Sequence, residues 1–251
     1  MSRFFLWALA LFSCFSVSSQ NAVKDSSLFD PHISITYAYQ IPGGDLAARF
    51  GNNHNLGFGF HFKSKTSWYY GIQGTYLFGS RVIPEKGFLD NLKIDGGYIL
   101  DNDGQLSKIS LQERGWTCTM EGGRLFPLLG PNPNSGILVI GGVGLFQHKI
   151  RIEHQDTHIQ QLEKDYLKGY DRLTNGPVLR EFVGYYHMSN NRLINFVIGI
   201  EAWQAFTQSR RDLNFDTMTT DSQRRKDSLL GIRAGWTLHL YKRMSDHYYY
   251  E

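Results

Sequence analysis

Glu153, His154, Asp156 and His158 place two imidazoles four residues apart in a polar stretch. On a helix the pair would face one way and could hold a metal ion. No third firm ligand accompanies them, so the cluster reads as a solvated loop, and neither a metal nor a cofactor is expected. His61 and His239 raise a second chemistry, since a hydrolase needs an imidazole beside a serine and an acid. No serine motif supports it, and no catalytic residue is assigned. The third candidate is electrostatic. Glu121, Glu201 and Arg233 each fall on the small, polar face of an otherwise greasy alternating segment. Such charges need one another if that face is enclosed, and a Glu121, Glu201, Arg233 network is expected.

Those segments show period two, in which every second side chain points the same way. Ile33, Ile35, Tyr37 and Tyr39 alternate with Ser34, Thr36, Ala38 and Gln40. Leu56, Phe58, Phe60 and Phe62 alternate with glycines and His61. The runs 68–79, 115–126, 193–206 and 229–241 repeat the pattern, with Cys118 on an apolar face. Two more runs, about 136–152 and 178–188, are apolar on both faces or ambiguous near Arg180 and Glu181, and periodicity leaves their facing open. About eight strands result. Three connections are short (64–67, 127–135, 189–192), and four are long and polar (42–54, 80–114, 153–177, 207–228). Short and long alternate along the chain, as in an up-and-down barrel with short turns at one end and long loops at the other.

Composition agrees. The 251 residues are 41% hydrophobic, 14% aromatic and 20% charged, with 26 Gly against 7 Pro, a mixture that suits strands and tight turns. A net charge of +3 without a concentrated basic face excludes nucleic-acid binding. Residues 1–19, with Arg3, an apolar run from Phe4 to Phe12 and a small-residue exit, have the form of a secretory signal peptide. Its removal takes Cys14 and leaves Cys118 alone, so disulfides do not hold this exported chain together.

Period two does not say which face is inside, and a soluble barrel with an apolar cup is the competitor. Bulky Leu, Ile and aromatic residues crowd one face, small and polar residues the other. Trp68, Tyr70, Tyr76, Phe78, Trp116 and Phe126 lie near strand ends, where aromatic belts meet the two lipid boundaries. A charge facing lipid near the midplane would cost about 2 to 4 kcal/mol for Arg. The expected fold is therefore all-β: an eight-stranded antiparallel up-and-down transmembrane β-barrel with a plugged polar interior and long extracellular loops. It spans 20–243, before a short periplasmic tail at 244–251.

The segments Gly44–Gly51, Lys63–Trp68 and Lys168–Leu173 resemble small outer-membrane β-barrel proteins of the OmpA-, OmpX- and PorT-like group, particularly Bacteroidota-type members. The resemblance covers nearly the whole mature chain. The last strand resembles the β-signal read by the barrel insertion machinery, with Arg233 as its polar residue, then Gly235, Leu238 and Leu240. The chain runs on past that strand, whereas many such barrels end there.

The resemblance implies an integral protein of a Gram-negative outer membrane, in contact with its lipids and inserted by that machinery. A non-catalytic structural or interaction role is expected, as an accessory subunit of an insertion or secretion assembly, with the long outer loops offered to a protein partner. Arg210, Arg211, Asp212 and Arg224–Asp227 give those loops a mixed-charge rim. Phe88, Leu89, Leu92 and Tyr98–Leu100 give them apolar pieces that a merely solvated connector would not need. The alternative is a lipid-modifying enzyme, for which a strained or water-poor Ser and His pair near the girdle would be the deciding feature. A conducting pore ranks third, because side chains fill an eight-stranded lumen.

Overall fold

A computed structural model describes residues 26–94, 96–154, 159–163, 165–189 and 194–240. The expected signal peptide, the tail, and Asp156 with His158 lie outside these residues. The strands are β1 (Asp30–Gly44), β2 (Asn53–Lys63), β3 (Trp68–Gly79), β4 (Ile99–Leu100), β5 (Leu106–Ser107), β6 (Ile109–Phe126), β7 (Gly136–His154), β8 (Thr174–His187), β9 (Phe196–Ser209) and β10 (Arg224–His239). Eight of them close in the order β1-β10-β9-β8-β7-β6-β3-β2, while β4 and β5 form a separate small hairpin. Every pairing in the ring is antiparallel. No helix among the described residues is long and apolar enough to cross a membrane.

Closure runs through β1 and β10, from His32 opposite His239 to Gly44 opposite Asp227. No strand edge of the ring is left bare, which is what hydrocarbon demands of a sheet. The turns at 64–67, 127–135 and 188–195 gather at one end. The connections 45–52, 80–108, 155–173 and 210–223 gather at the other. Several strands reach further than periodicity suggested. β6 begins at Ile109 and β10 at Arg224, so the long loops are shorter than expected and the barrel stands taller on that side.

The outward face settles which solvent the barrel meets. Ile35, Phe58, Ile72, Met120, Val143, Val183, Ile200 and Ile232, one from each strand of the ring, are all exposed, Met120 by 68%. A soluble barrel would hide this set; here it is turned out all round the ring, and lipid is the medium that accepts it. Trp68, Tyr70, Phe126, Phe196 and Trp236 form an exposed belt near the short-turn end, and Tyr37, Tyr39, Tyr76 and Trp116 a second one higher up. Trp68 to Tyr76 is eight residues, roughly 20 Å along the axis at a strand tilt of about 40°. That is near the height of an apolar band.

The two strands left open now have a direction. On β7, Leu138, Ile140 and Phe146 point in, while Val139, Val143 and Leu145 point out; on β8, Arg180 and Phe182 point in, while Leu179, Glu181 and Val183 point out. The interior is consequently less uniformly polar than expected. Leu125, Leu138, Ile140, Phe182, Tyr186 and Val197 make an apolar cluster low in the lumen. A second cluster joins Phe146, Trp203 and Leu229 of the barrel to Leu46, Phe50, Phe88, Leu89, Ile159, Leu162 and Tyr170 of the long loops. Those loops fold over the barrel mouth as a cap with its own core.

Candidate functional site: the filled lumen, the cap and one outward carboxylate

Between the two apolar clusters lies a layer of charge. Arg180 Nη1 donates to Glu121 Oε1 and Nη2 to Glu201 Oε2, each at 2.8 Å, and its guanidinium lies over Trp203 at 5.0 Å. Gln40 donates to the other oxygen of Glu201 at 2.7 Å. The sequence expectation named the carboxylates and the wrong cation. Among the described residues Arg233 makes no ion pair. Its guanidinium sits 4.7 Å above the Phe182 ring, and its Nε and Nη1 have no hydrogen-bond partner. The register explains this. Glu201 stands opposite Gly231 and Phe182, whereas Arg233 stands opposite Gly199. Phe182 Cζ lies 2.9 Å from where a Cβ on Gly199 would be, so the ring occupies the space that a side chain there would fill, and Arg233 lies over it.

All four charged residues are buried. Two acids and two arginines leave the layer electrically balanced, as a low-dielectric interior requires. The missing member was legible in one respect. Either Arg180 or Glu181 had to face lipid, and a lipid-facing Arg costs more than a Glu, which turns Arg180 inward.

One level down, Ser34 Oγ lies 3.3 Å from His61 Nδ1, and His61 Nε2 lies 3.2 Å from Glu121 Oε2. Serine, imidazole and acid are thus in line, a juxtaposition that no sequence motif announced. It is walled in. A Cβ on Gly59 would fall 2.3 Å from His61 Cε1 and 2.8 Å from Ser34 Oγ, and one on Gly71 would fall 2.4 Å from His61 Cδ2. The imidazole fits because both neighbours are glycine.

Under the cap, Asp227 gathers Arg49 (Nη2 to Oδ1, 2.9 Å), Thr207 (Oγ1 to Oδ2, 2.5 Å) and His148 (Nε2 to Oδ2, 3.3 Å). Burial pushes the Arg49 guanidinium below its ordinary pKa, and Asp227 partly restores it. Of the mixed-charge rim, Arg211 grips Asp171 through Nε at 2.8 Å and Nη2 at 2.6 Å; outside it, Arg172 grips Asp216 at 2.8 Å. These arginines brace the cap instead of standing free. A cavity of about 20 Å³ beneath it, bordered by Arg49, Phe50, Phe88, Arg172 and Arg225, has room for roughly one water.

The outer face is not wholly apolar. Glu181 stands exposed near mid-height on β8, opposite Gly141 of β7 and Ala202 of β9. Gln204 is exposed diagonally from it, two residues beyond Ala202. Gly122 pairs with Gly141, and no atom lies within 4 Å of where a Cβ on either glycine would be. A carboxylate therefore rises from a smooth, shallow strip spanning four strands. Of the proposed β-signal residues, Arg233 and Gly235 face in, Leu238 and Leu240 face out, and Leu240 N donates to Pro31 O at 2.8 Å.

These features define a small transmembrane β-barrel protein whose lumen is filled by buried side chains. No family model and no curated protein sequence matches the chain. Among solved structures it is similar to Ail, the attachment invasion locus protein of Yersinia pestis, in complex with the heparin analogue sucrose octasulfate, at 13% identity and a TM-score of 0.43, covering 84% of this chain and 99% of that one. It is also similar to Neisserial surface protein A at 8% identity, TM-score 0.41, covering 84% and 97%. A third is the outer membrane protein AlkL in DMPC bilayers, at 10% identity, TM-score 0.40, covering 92% and 99%.

Proposed function

We propose that the chain is an integral outer-membrane protein with a non-catalytic role, a structural or docking subunit for another integral component of an outer-membrane assembly such as an insertion or secretion machine. Export through the 1–19 signal, insertion directed by Arg233, Gly235, Leu238 and Leu240, and kinship with the OmpA-, OmpX- and PorT-like group of Bacteroidota type belong to the same proposal. The observation that carries it is Glu181. An unpaired carboxylate in hydrocarbon is costly and marks function by default. Flanked by Gly141, Gly122 and Ala202, it offers close approach to a partner that brings a hydrogen-bond donor or cation at the same depth. The cap adds a folded surface on the loop side.

Capture from gently solubilised outer membranes tests it. Wild-type protein should retain a co-purifying integral partner that a Glu181→Leu variant, inserted at normal levels, loses. A wild-type protein that runs alone under conditions preserving other assemblies would count against the proposal.

A lipid-modifying enzyme is the second reading, favoured by the Ser34, His61 and Glu121 alignment. Ser34→Ala should leave the lipid A and phospholipid profile of cells unchanged if the protein is non-catalytic. An altered profile would establish the enzyme instead.

A further inference from the structure

We infer that the short-turn end of the lumen is a binding site for a divalent transition metal of the zinc class, held by Asp30, His32 and His239. Asp30 and His32 are two apart on β1 and therefore share its inward face. His239 is the register partner of His32 on β10, so the three residues straddle the seam where the first and last strands close the ring.

Both imidazoles turn Nδ1 towards one oxygen: His239 Nδ1 lies 2.7 Å and His32 Nδ1 3.3 Å from Asp30 Oδ2. His32 Nδ1 is also 3.3 Å from the Asp30 carbonyl. One ligand atom from each of the three residues can be chosen so that all lie within 4.8 Å of one another. Around a common ion at about 2.0 to 2.2 Å, donors sit roughly 3.3 to 3.6 Å apart, so the 2.7 Å pair would open and the widest pair close by about 1 Å. Each ring directs its other nitrogen to a hydroxyl, His32 Nε2 to Tyr69 at 3.1 Å and His239 Nε2 to Thr237 at 3.3 Å. Where the ring donates its Nε2–H to that hydroxyl, Nδ1 is left as the metal donor.

The carboxylate supplies an independent sign. Asp30 is fully buried, and its Oδ1 has no hydrogen-bond partner. The neighbouring buried cation, Lys63, directs its ammonium to Ser27 Oγ, the Leu28 carbonyl and Asn134 Oδ1 instead. Tyr186 OH reaches Asp30 Oδ2 only at 3.5 Å. The two imidazoles meet only Oδ2, which leaves Oδ1 buried without a partner at a cost, and a divalent ion shared by the carboxylate and the two imidazoles would offset its charge. Two nitrogens and one oxygen suit zinc, copper or nickel rather than calcium or magnesium. Bound there, the ion would strap β1 to β10.

Folded protein in detergent, stripped by a chelator, is titrated with Zn²⁺ by calorimetry and with Co²⁺ by visible absorption. One Zn²⁺ per chain should bind and survive gel filtration, and the thermal midpoint of barrel unfolding should rise with it. His32→Gln and His239→Gln should abolish uptake, His54→Gln and His187→Gln on the outer face should not, and Tyr69→Phe should weaken binding about 10-fold or more. The inference fails if wild-type protein takes up no stoichiometric metal, or if uptake is unchanged in His32→Gln and His239→Gln. Should those two variants not fold, the wild-type Co²⁺ spectrum decides, and the absence of ligand-field bands would overturn the site.

Discussion

Glu121 of β6 and Arg180 of β8 meet at 2.8 Å although β7 separates their strands. The contact passes over the inner face of β7 at Gly142, whose absent side chain leaves the passage open: a Cβ there would stand 3.2 Å from Glu121 Cγ and 3.8 Å from Arg180 Cβ. A filled barrel of this size is held by such cross-lumen contacts as well as by its ladder.

Arg180→Met should therefore destabilise the barrel by about 3 to 5 kcal/mol, because two buried carboxylates lose their shared partner. Arg233→Met, which breaks no ion pair, should cost much less. Urea unfolding in detergent, followed by tryptophan fluorescence, separates the two. Equal losses would show that Arg233 holds the carboxylates as firmly as Arg180 does.

Gly71→Ala should cost about 1 to 3 kcal/mol or block folding, since the added methyl meets both the His61 ring and the Phe60 carbonyl at 2.4 Å in a packed interior. Gly74→Ala, whose Cβ meets nothing nearer than 3.9 Å, should be nearly silent. The ratio of heat-modified to unmodified bands on cold gels reads both.

Cys118 is an exposed free thiol on β6. In reconstituted bilayers it should resist a charged maleimide, because a charged reagent stays in water and does not enter hydrocarbon. It should label fully once the protein is unfolded in urea. Rapid labelling of the inserted protein would move β6 out of the lipid.

Phe50→Ala should loosen the cap more than the barrel. Phe50 is buried among loop and mouth residues, and truncating such a ring costs about 3 to 5 kcal/mol of local packing. Proteolysis within 80–108 and 155–173 should accelerate several-fold, while the gel mobility of the folded barrel stays unchanged.

Leu240→Ala should lower outer-membrane levels if the closing strand is a recognition signal for insertion. It is a cleaner probe than Gly235→Ala, whose added Cβ would also meet Thr36 Cγ2 at 2.7 Å and so perturb packing. Normal levels of Leu240→Ala after fractionation would remove the signal assignment.

Strand number, the up-and-down order and the solvent of each clearly alternating face could be read along the chain, because those properties are local. Period two from Ile33 to Tyr39 or from Leu230 to Leu240 needs no knowledge of a neighbouring strand. Glu121 and Glu201 were identified as inward for the same reason. Which cation they meet is not local. It depends on the register that sets Arg233 opposite Gly199 and Arg180 opposite Trp203, and on the room that glycines leave for Phe182. The Ser34, His61 and Glu121 line, the Asp30, His32 and His239 cluster at the seam, and the isolation of Glu181 between Gly141 and Ala202 arise likewise from strands far apart in sequence. Alternation fixes the face of each residue, but its height and its companions across the lumen are set only when the ring closes.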